Sequence, residues 1–334
     1  MALSAKKRAT CALLSAAALA ALGLTGSATA SADPAPAGYA AAPDLPTMTG
    51  VAPSLVNPVG QKYLGLAYNG IPQNVNALHA FSNRIGKTPN LLEYYAGFKE
   101  DYNATAARNA WDNGALTLLS WEPWTVPVSA IAAGKDDAYL RKFATEVRNS
   151  DLPVALNFGH EMNGFWYPWG PDQTKPADFV RAYRHIHDVF TTVGATKVIW
   201  VWSPNIVNYF PKVKLAPLYP GDAYVDWVGV SGYNEGWEHW KFSDVFDKTL
   251  AQMRAFTSKP ALITETGVDA TADQATRLSG LFDYVAKRPD VIGFVYFDYN
   301  QRLDWRLEPK ADTVAAFRQG ASDPLFGFDV REAG

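Results

Sequence analysis

The chain has 334 residues, 48% apolar and 13% aromatic, enough to bury a large core as one big domain or two medium ones. Its 30 basic side chains face 33 acidic ones, and the one basic cluster, Lys6-Lys7-Arg8, lies at the very start. That distribution leaves no basic face for nucleic acid, and a single cysteine excludes a disulfide-stapled fold.

Taken in order, the chain opens like a secretory signal. Lys6-Lys7-Arg8 form a positive start, an apolar run extends from Cys11 to Leu24, and small-residue cleavage sites follow at Ala28-Thr29-Ala30 and Ala30-Ser31-Ala32. The run is too short for a membrane anchor. Residues 1–32 are therefore expected to direct export, leaving a secreted protein with no membrane association. Cys11 would depart with them, so the mature chain would carry neither disulfide nor reactive thiol. Residues 33–60, rich in Pro, Ala and Gly, read as a mobile lead-in, and residues 61–330 as one catalytic domain.

From Tyr63 onward apolar runs alternate with helical patterns. Strands are expected at Tyr63–Tyr68, Leu91–Ala96, Leu116–Trp121, Val154–Phe158, Val198–Trp202, Val225–Val230, Ala261–Thr264 and Val291–Phe297. Helices are expected at Val75–Ile85, Thr105–Trp111, Asp137–Val147, Pro176–Thr192, Ser243–Phe256, Ala272–Ala286 and Lys310–Arg318. Three prolines break the remaining connection, Tyr209–Pro220. In the longest helix Phe179, Tyr183, Ile186 and Phe190 form the buried stripe, with His185 and His187 on its flanks. Eight apolar strands covered by helices give an α/β chain of the (β/α)8 TIM-barrel class. A doubly wound open sheet is the alternative, but no GxGxxG phosphate loop follows the first strand.

Polar and aromatic residues gather just after the strands, where barrel enzymes keep their chemistry. Two carboxylates stand out, Glu161 after the fourth strand and Glu265 at the seventh. Carboxyls facing each other across a narrow barrel mouth cannot both ionise cheaply, so one keeps a proton while the other stays charged. The aromatic stretch Phe165–Trp169 favours Glu161 as the protonated member; Thr264 and Thr266 give Glu265 a more polar setting. Such a pair suits glycoside hydrolysis, where one group protonates the leaving oxygen and the other attacks carbon. Trp121, Trp124, Trp166, Trp169, Trp202, Trp237, Trp240 and Trp305 fall at or beyond strand ends and could offer flat faces to sugar rings. His160 is expected to bond a sugar hydroxyl or Glu265. HExxH is absent and the histidines are scattered, so no metal and no cofactor is expected. No GxSxG elbow points to an esterase.

At HEMNGFWYPWG (His160–Gly170), ITETG (Ile263–Gly267) and SWEPW (Ser120–Trp124), the sequence resembles glycoside hydrolase family 26, with the likeness extending from Gly60 to about Gly320. The resemblance implies a (β/α)8 barrel that cleaves with retention through a covalent glycosyl-enzyme. It matches Glu161 to the acid/base, Glu265 to the nucleophile, His160 to the histidine before the acid/base, Tyr233 to the aromatic residue touching the nucleophile, and Trp166 to a cleft aromatic. Three positions depart from the family's mannan-cleaving pattern: Glu122 replaces a histidine, Ser231 an aspartate and Asn157 an arginine. The first two changes resemble the family's mixed-linkage β-glucan hydrolases.

The expected activity is thus a secreted, monomeric, retaining endo-β-glycanase on a polysaccharide, mixed-linkage β-1,3-1,4-glucan first and β-1,4-mannan as the alternative. A barrel that binds carbohydrate without cleaving it is the other alternative. Its substrate contacts are expected from Asn157, His160, Trp121, Glu122, Trp166, Trp169, Tyr233, Trp237 and Trp305.

Overall fold

A computed structural model describes residues 50–209, 212–235, 241–271 and 273–333. The expected export signal and most of the Pro/Ala-rich lead-in fall outside those residues. Eight strands occupy the expected places: β1 (Tyr63–Ala67), β2 (Leu91–Gly97), β3 (Leu116–Glu122), β4 (Val154–Phe158), β5 (Val198–Trp202), β6 (Trp227–Ser231), β7 (Ala261–Thr266) and β8 (Val291–Phe297). Each pairs in parallel with its sequence neighbours, and β8 closes on β1.

Successive side chains on a strand point to opposite faces. One face packs inward, with Leu91, Leu118, Ala155, Ile199, Leu262 and Val295 in a common cluster. The other meets the helices, where Leu92, Leu119, Leu156, Trp202 and Ile263 join the larger core. The helix Pro176–Val193 buries Phe179, Tyr183, Ile186 and Phe190 and ends at Gly194, whose φ of 81° is left-handed. His185 and His187 stay on its flank, the first against Asp137 and the second beside Trp200 and Tyr224. After β5 the described residues of the crossover form only the short 3-10 turn Ala216–Leu218. Among the described residues no helix is long and apolar enough to cross a membrane.

The strand alternation corrects part of the expected tryptophan row. Ser120 and Glu122 share the inward face with Leu118, so Trp121 points the other way; it is fully buried and stacked on Phe143 at 4.3 Å. Trp202 is likewise buried beneath Tyr219.

Candidate active site

The turn after β4 presents the first carboxylate. Gly159 has φ 58°, and a Cβ there would meet Phe179 at 3.0 Å and Trp169 at 3.4 Å, so only glycine fits. Two residues later Glu161 also takes a left-handed backbone, φ 55°, which a non-glycine residue adopts at some cost. Its N–H donates to the Ser203 carbonyl at 2.7 Å, and its own carbonyl accepts from Gly164 at 2.9 Å. Asn163 then clamps the loop after β5 through two reciprocal bonds of 2.8 Å to the Asn205 backbone. The clamp aims Asn205 at the site: Asn205 Nδ2 donates to Glu161 Oε1 at 2.7 Å, and Trp166 Nε1 donates to Oε2 at 2.8 Å.

The second carboxylate depends on an irregularity. By alternation Glu265 shares the parity of Ile263, which faces the helices. The register of β7 slips against β6 between Val230 and Ser231, and against β8 between Ile263 and Thr266. Such slips re-aim side chains, and Glu265 lines the barrel mouth. There Tyr233 Oη donates to its Oε1 and Tyr95 Oη to its Oε2. Its polar setting therefore comes from two phenols. Thr264 instead bonds Ser203, and Thr266 Oγ1 has no partner among the described residues.

Both carboxylates open into one cleft of about 380 Å³. Of the expected contact residues, Glu122, Trp166, Tyr233 and Trp305 line it, joined by Tyr95, Trp124, Tyr167 and Asn205. Trp305 stacks on Tyr233 with ring centroids 4.5 Å apart, making an apolar wall beside Glu265. Trp169 is not in the cleft: it lies buried behind Tyr167, stacked at 4.3 Å, and its Nε1 donates to the His160 carbonyl. Trp121 faces the helical layer, as described above. Asn157 sits in the barrel interior, where its Nδ2 donates to Ser120 Oγ at 3.3 Å. Trp237 lies outside the described residues, as does Trp240.

Of the two partners expected for His160, Glu265 is not the one it meets: the ring is buried, with Nε2 3.2 Å from Tyr167 Oη and no partner at Nδ1 among the described residues. Burial lowers its pKa to about 4, and the ring is neutral.

Burial and then the nearby Glu265 charge push Glu161 up to about 8, against the opposing donors Asn205, Trp166 and Ser231. Burial also raises Glu265, but the two phenols oppose it by stabilising its charge. Burial first, then the Glu265 charge, raises both phenols far above neutrality, so each remains a donor. The arrangement therefore sets a carboxyl held well above its usual range, Glu161, beside one whose charge two phenols support, Glu265. Among the described residues no group of three or more His, Cys, Asp or Glu is placed to hold a metal ion.

A (β/α)8 barrel with paired carboxylates in an aromatic cleft has the architecture of a glycoside hydrolase. Residues 135–296 match the family model for glycosyl hydrolase family 26. It is 29% identical over 276 residues to Endoglucanase H of Acetivibrio thermocellus, covering 77% of this chain and 31% of that protein. It is 30% identical over 166 residues to a mannan endo-1,4-beta-mannosidase of Bacillus subtilis, covering 47% of this chain and 41% of that one. The chain thus spans less than half the length of these relatives. Most of the curated relatives are named mannan endo-1,4-beta-mannosidases. The fold superposes on a Cellulomonas fimi endo-beta-1,4-mannanase with a TM-score of 0.63 at 17% identity, over 86% of this chain and 76% of that one.

Proposed function

We propose that residues 61–330 form a retaining endo-acting β-glycanase, exported by the first 32 residues, in which Glu161 is the acid/base and Glu265 the nucleophile. The observation that carries this reading is the opposite bonding of the two carboxyls, an acid kept protonated by burial and an anion held by two phenols. Glu265 attacks the anomeric carbon while Glu161 gives its proton to the departing oxygen. Once the ester forms, Glu265 carries no charge, the repulsion on Glu161 falls, and Glu161 can accept a proton from the water that releases the sugar.

For the polymer, β-1,4-mannan takes first place, because most named relatives are mannanases. This reverses the order drawn from Glu122 and Ser231. Mixed-linkage β-glucan is the second reading, favoured by Endoglucanase H, whose alignment covers 77% of this chain, and by Glu122 at the cleft wall. Reducing-end release from mannan, mixed-linkage glucan, xylan and laminarin decides between them. The expected result is rapid release from mannan with a fall in viscosity ahead of sugar release. Preference for mixed-linkage glucan would install the second reading, and retention on a glucan or mannan gel with no release would leave a binding barrel.

A further inference from the structure

A tight turn beyond β8 puts a cation into the cleft. Asn300 bridges Asp304, Gln301 N–H donates to the Leu303 carbonyl at 3.0 Å, and Trp305 N–H donates to the Tyr299 carbonyl at 2.9 Å. Arg302 stands at the tip. Among the described residues lining the cleft it is the single Lys or Arg, against the four carboxyls Glu122, Glu161, Glu235 and Glu265.

Arg302 Nη2 donates to Glu235 Oε1, and the guanidinium carbon lies 5.9 Å from the centre of the Trp305 ring. Both ends of this pair rest on fixed backbone. Trp305 stacks on Tyr233 and packs so closely on Gly267 that a Cβ there would meet its ring at 3.2 Å; its carbonyl accepts from Tyr296 Oη at 2.7 Å. Glu235 follows Asn234, whose N–H donates to the Gly267 carbonyl at 2.9 Å and whose own carbonyl accepts from Arg277 at 2.8 Å.

A guanidinium carries five N–H donors in a rigid fork. Glu235 engages it through Nη2, while Nε and Nη1 have no partner among the described residues, and 25% of the Arg302 side chain is exposed. Glu235 balances the charge and fixes the plane of the fork, so what the free edge offers is a set of oriented donors. Four carboxyls in one cleft repel an anionic sugar. The ligand that fits is a neutral sugar whose hydroxyl oxygens accept those donors.

The place of the pair says which sugar. Proton transfer from Glu161 frees the departing group on the β4–β5 flank, so the sugar that stays bound lies toward β6–β8. Tyr233 holds Glu265 there, and Glu235 is two residues further along the same loop. Resting on the roles proposed above for Glu161 and Glu265, we propose that Arg302, held by Glu235, is a specificity-determining residue whose free donors bind hydroxyls of the neutral sugar preceding the attacked one.

The test uses aryl glycosides of one, two and three sugars, in mannose and glucose series, where the aryl group departs and each added sugar extends toward the pair. In the native chain kcat/KM should rise about 10–100-fold from one sugar to two, mainly through KM. Arg302→Ala should lose most of that rise. Arg302→Lys keeps a cation beside Glu235 but not the fork, so it should lose about half of it on a logarithmic scale. Glu235→Gln leaves the fork in place with a weaker acceptor and should lose about threefold. Thermal melts identify a variant that has not folded, and Arg302→Lys carries the test if Arg302→Ala is one. A loss equal for one, two and three sugars overturns the proposal and leaves the pair a strap between two loops. So does a loss seen with polysaccharide and with no member of the aryl series, which would put Arg302 on the departing side. An active native chain without dependence on Arg302 overturns this proposal alone; an inactive native chain, or an active Glu265→Ala, overturns the roles beneath it as well.

Discussion

The two flanks of the cleft hold the same side chain in opposite ways. On the β4–β5 flank, Glu161 sits on a strained turn and meets two N–H donors, Asn205 and Trp166, that are too few to offset burial, so the carboxyl keeps its proton. On the β6–β8 flank, Glu265 projects from a slipped strand and receives two phenol protons, which favour its charge. A carboxyl's role in this barrel therefore follows from the donors around it and from backbone irregularity more than from its place after a strand. The Glu161 turn spends backbone strain, and the Glu265 strand spends ladder register; in both cases local order is given up where the chemistry is proposed.

The sharpest way to break the comparison is to delete each carboxyl. Glu265→Ala should lower kcat at least about 10⁴-fold on every polysaccharide and every aryl glycoside, since no other group can form the ester. Glu161→Ala should lose about 10²–10⁴-fold on polysaccharide but far less on an aryl glycoside whose leaving group needs no proton. Added azide separates the flanks further. It should restore Glu265→Ala with inversion, by occupying the nucleophile's face, and Glu161→Ala with retention, by intercepting the glycosyl-enzyme. Product stereochemistry by NMR reads this directly, and swapped outcomes would exchange the two roles.

The donors come next. Tyr233→Phe removes a proton from Glu265 Oε1 and should lower kcat about 10²-fold while moving the acidic limb of kcat/KM to higher pH, because the anion loses support. Trp166→Phe removes an N–H from Glu161 Oε2, which stabilises that group's charged form. The acid then holds its proton more tightly, so the alkaline limb should move up and kcat should fall about 10-fold or less. Both limbs moving in one variant would show that the flanks are not separable by donor.

How much of this was legible follows from what each residue must satisfy. Parallel barrel strands are covered on both faces, so they read as apolar runs, and all eight were found within two residues of their observed ends. Glu161 was visible because it stands with Glu265 as a pair and beside the aromatic stretch Phe165–Trp169; alone, a carboxylate after a strand could equally cap a helix or pair with an arginine. Trp121 and Trp169 were misplaced because a tryptophan near a strand end looks the same whether it faces the cleft or the helices. Strict alternation from Leu118 through Glu122 would have turned Trp121 outward. The same alternation misleads at β7, where only the register slip brings Glu265 inward. Tyr95 was hidden inside LLEYYAG, since an aromatic residue within a strand reads as core until the closed barrel shows that its hydroxyl reaches Glu265. Asn205 stood among the polar residues following β5, but its aim depends on Asn163 from another loop, a pairing no spacing rule supplies.

The smallest expected effect is on stability, and it tests the acid flank without any substrate. Glu161 is raised from an ordinary value of 4.5 to about 8 in the folded chain. Between those values the folded state holds a proton that the unfolded state has released, so rising pH favours unfolding across that window, and the full cost is present above about 8. Glu161→Gln keeps the shape of the protonated acid but cannot ionise, so it escapes the loss. Its Tm should match that of the native chain near pH 4 and exceed it by a few degrees at mildly alkaline pH, at roughly 2–4 °C for each kcal/mol. Glu265→Gln should gain less, because its two phenols already offset part of the cost of burying its charge. If thermal melts instead show Glu161→Gln destabilised equally at both pH values, Glu161 is ionised in the folded chain and the contrast between the two flanks is lost.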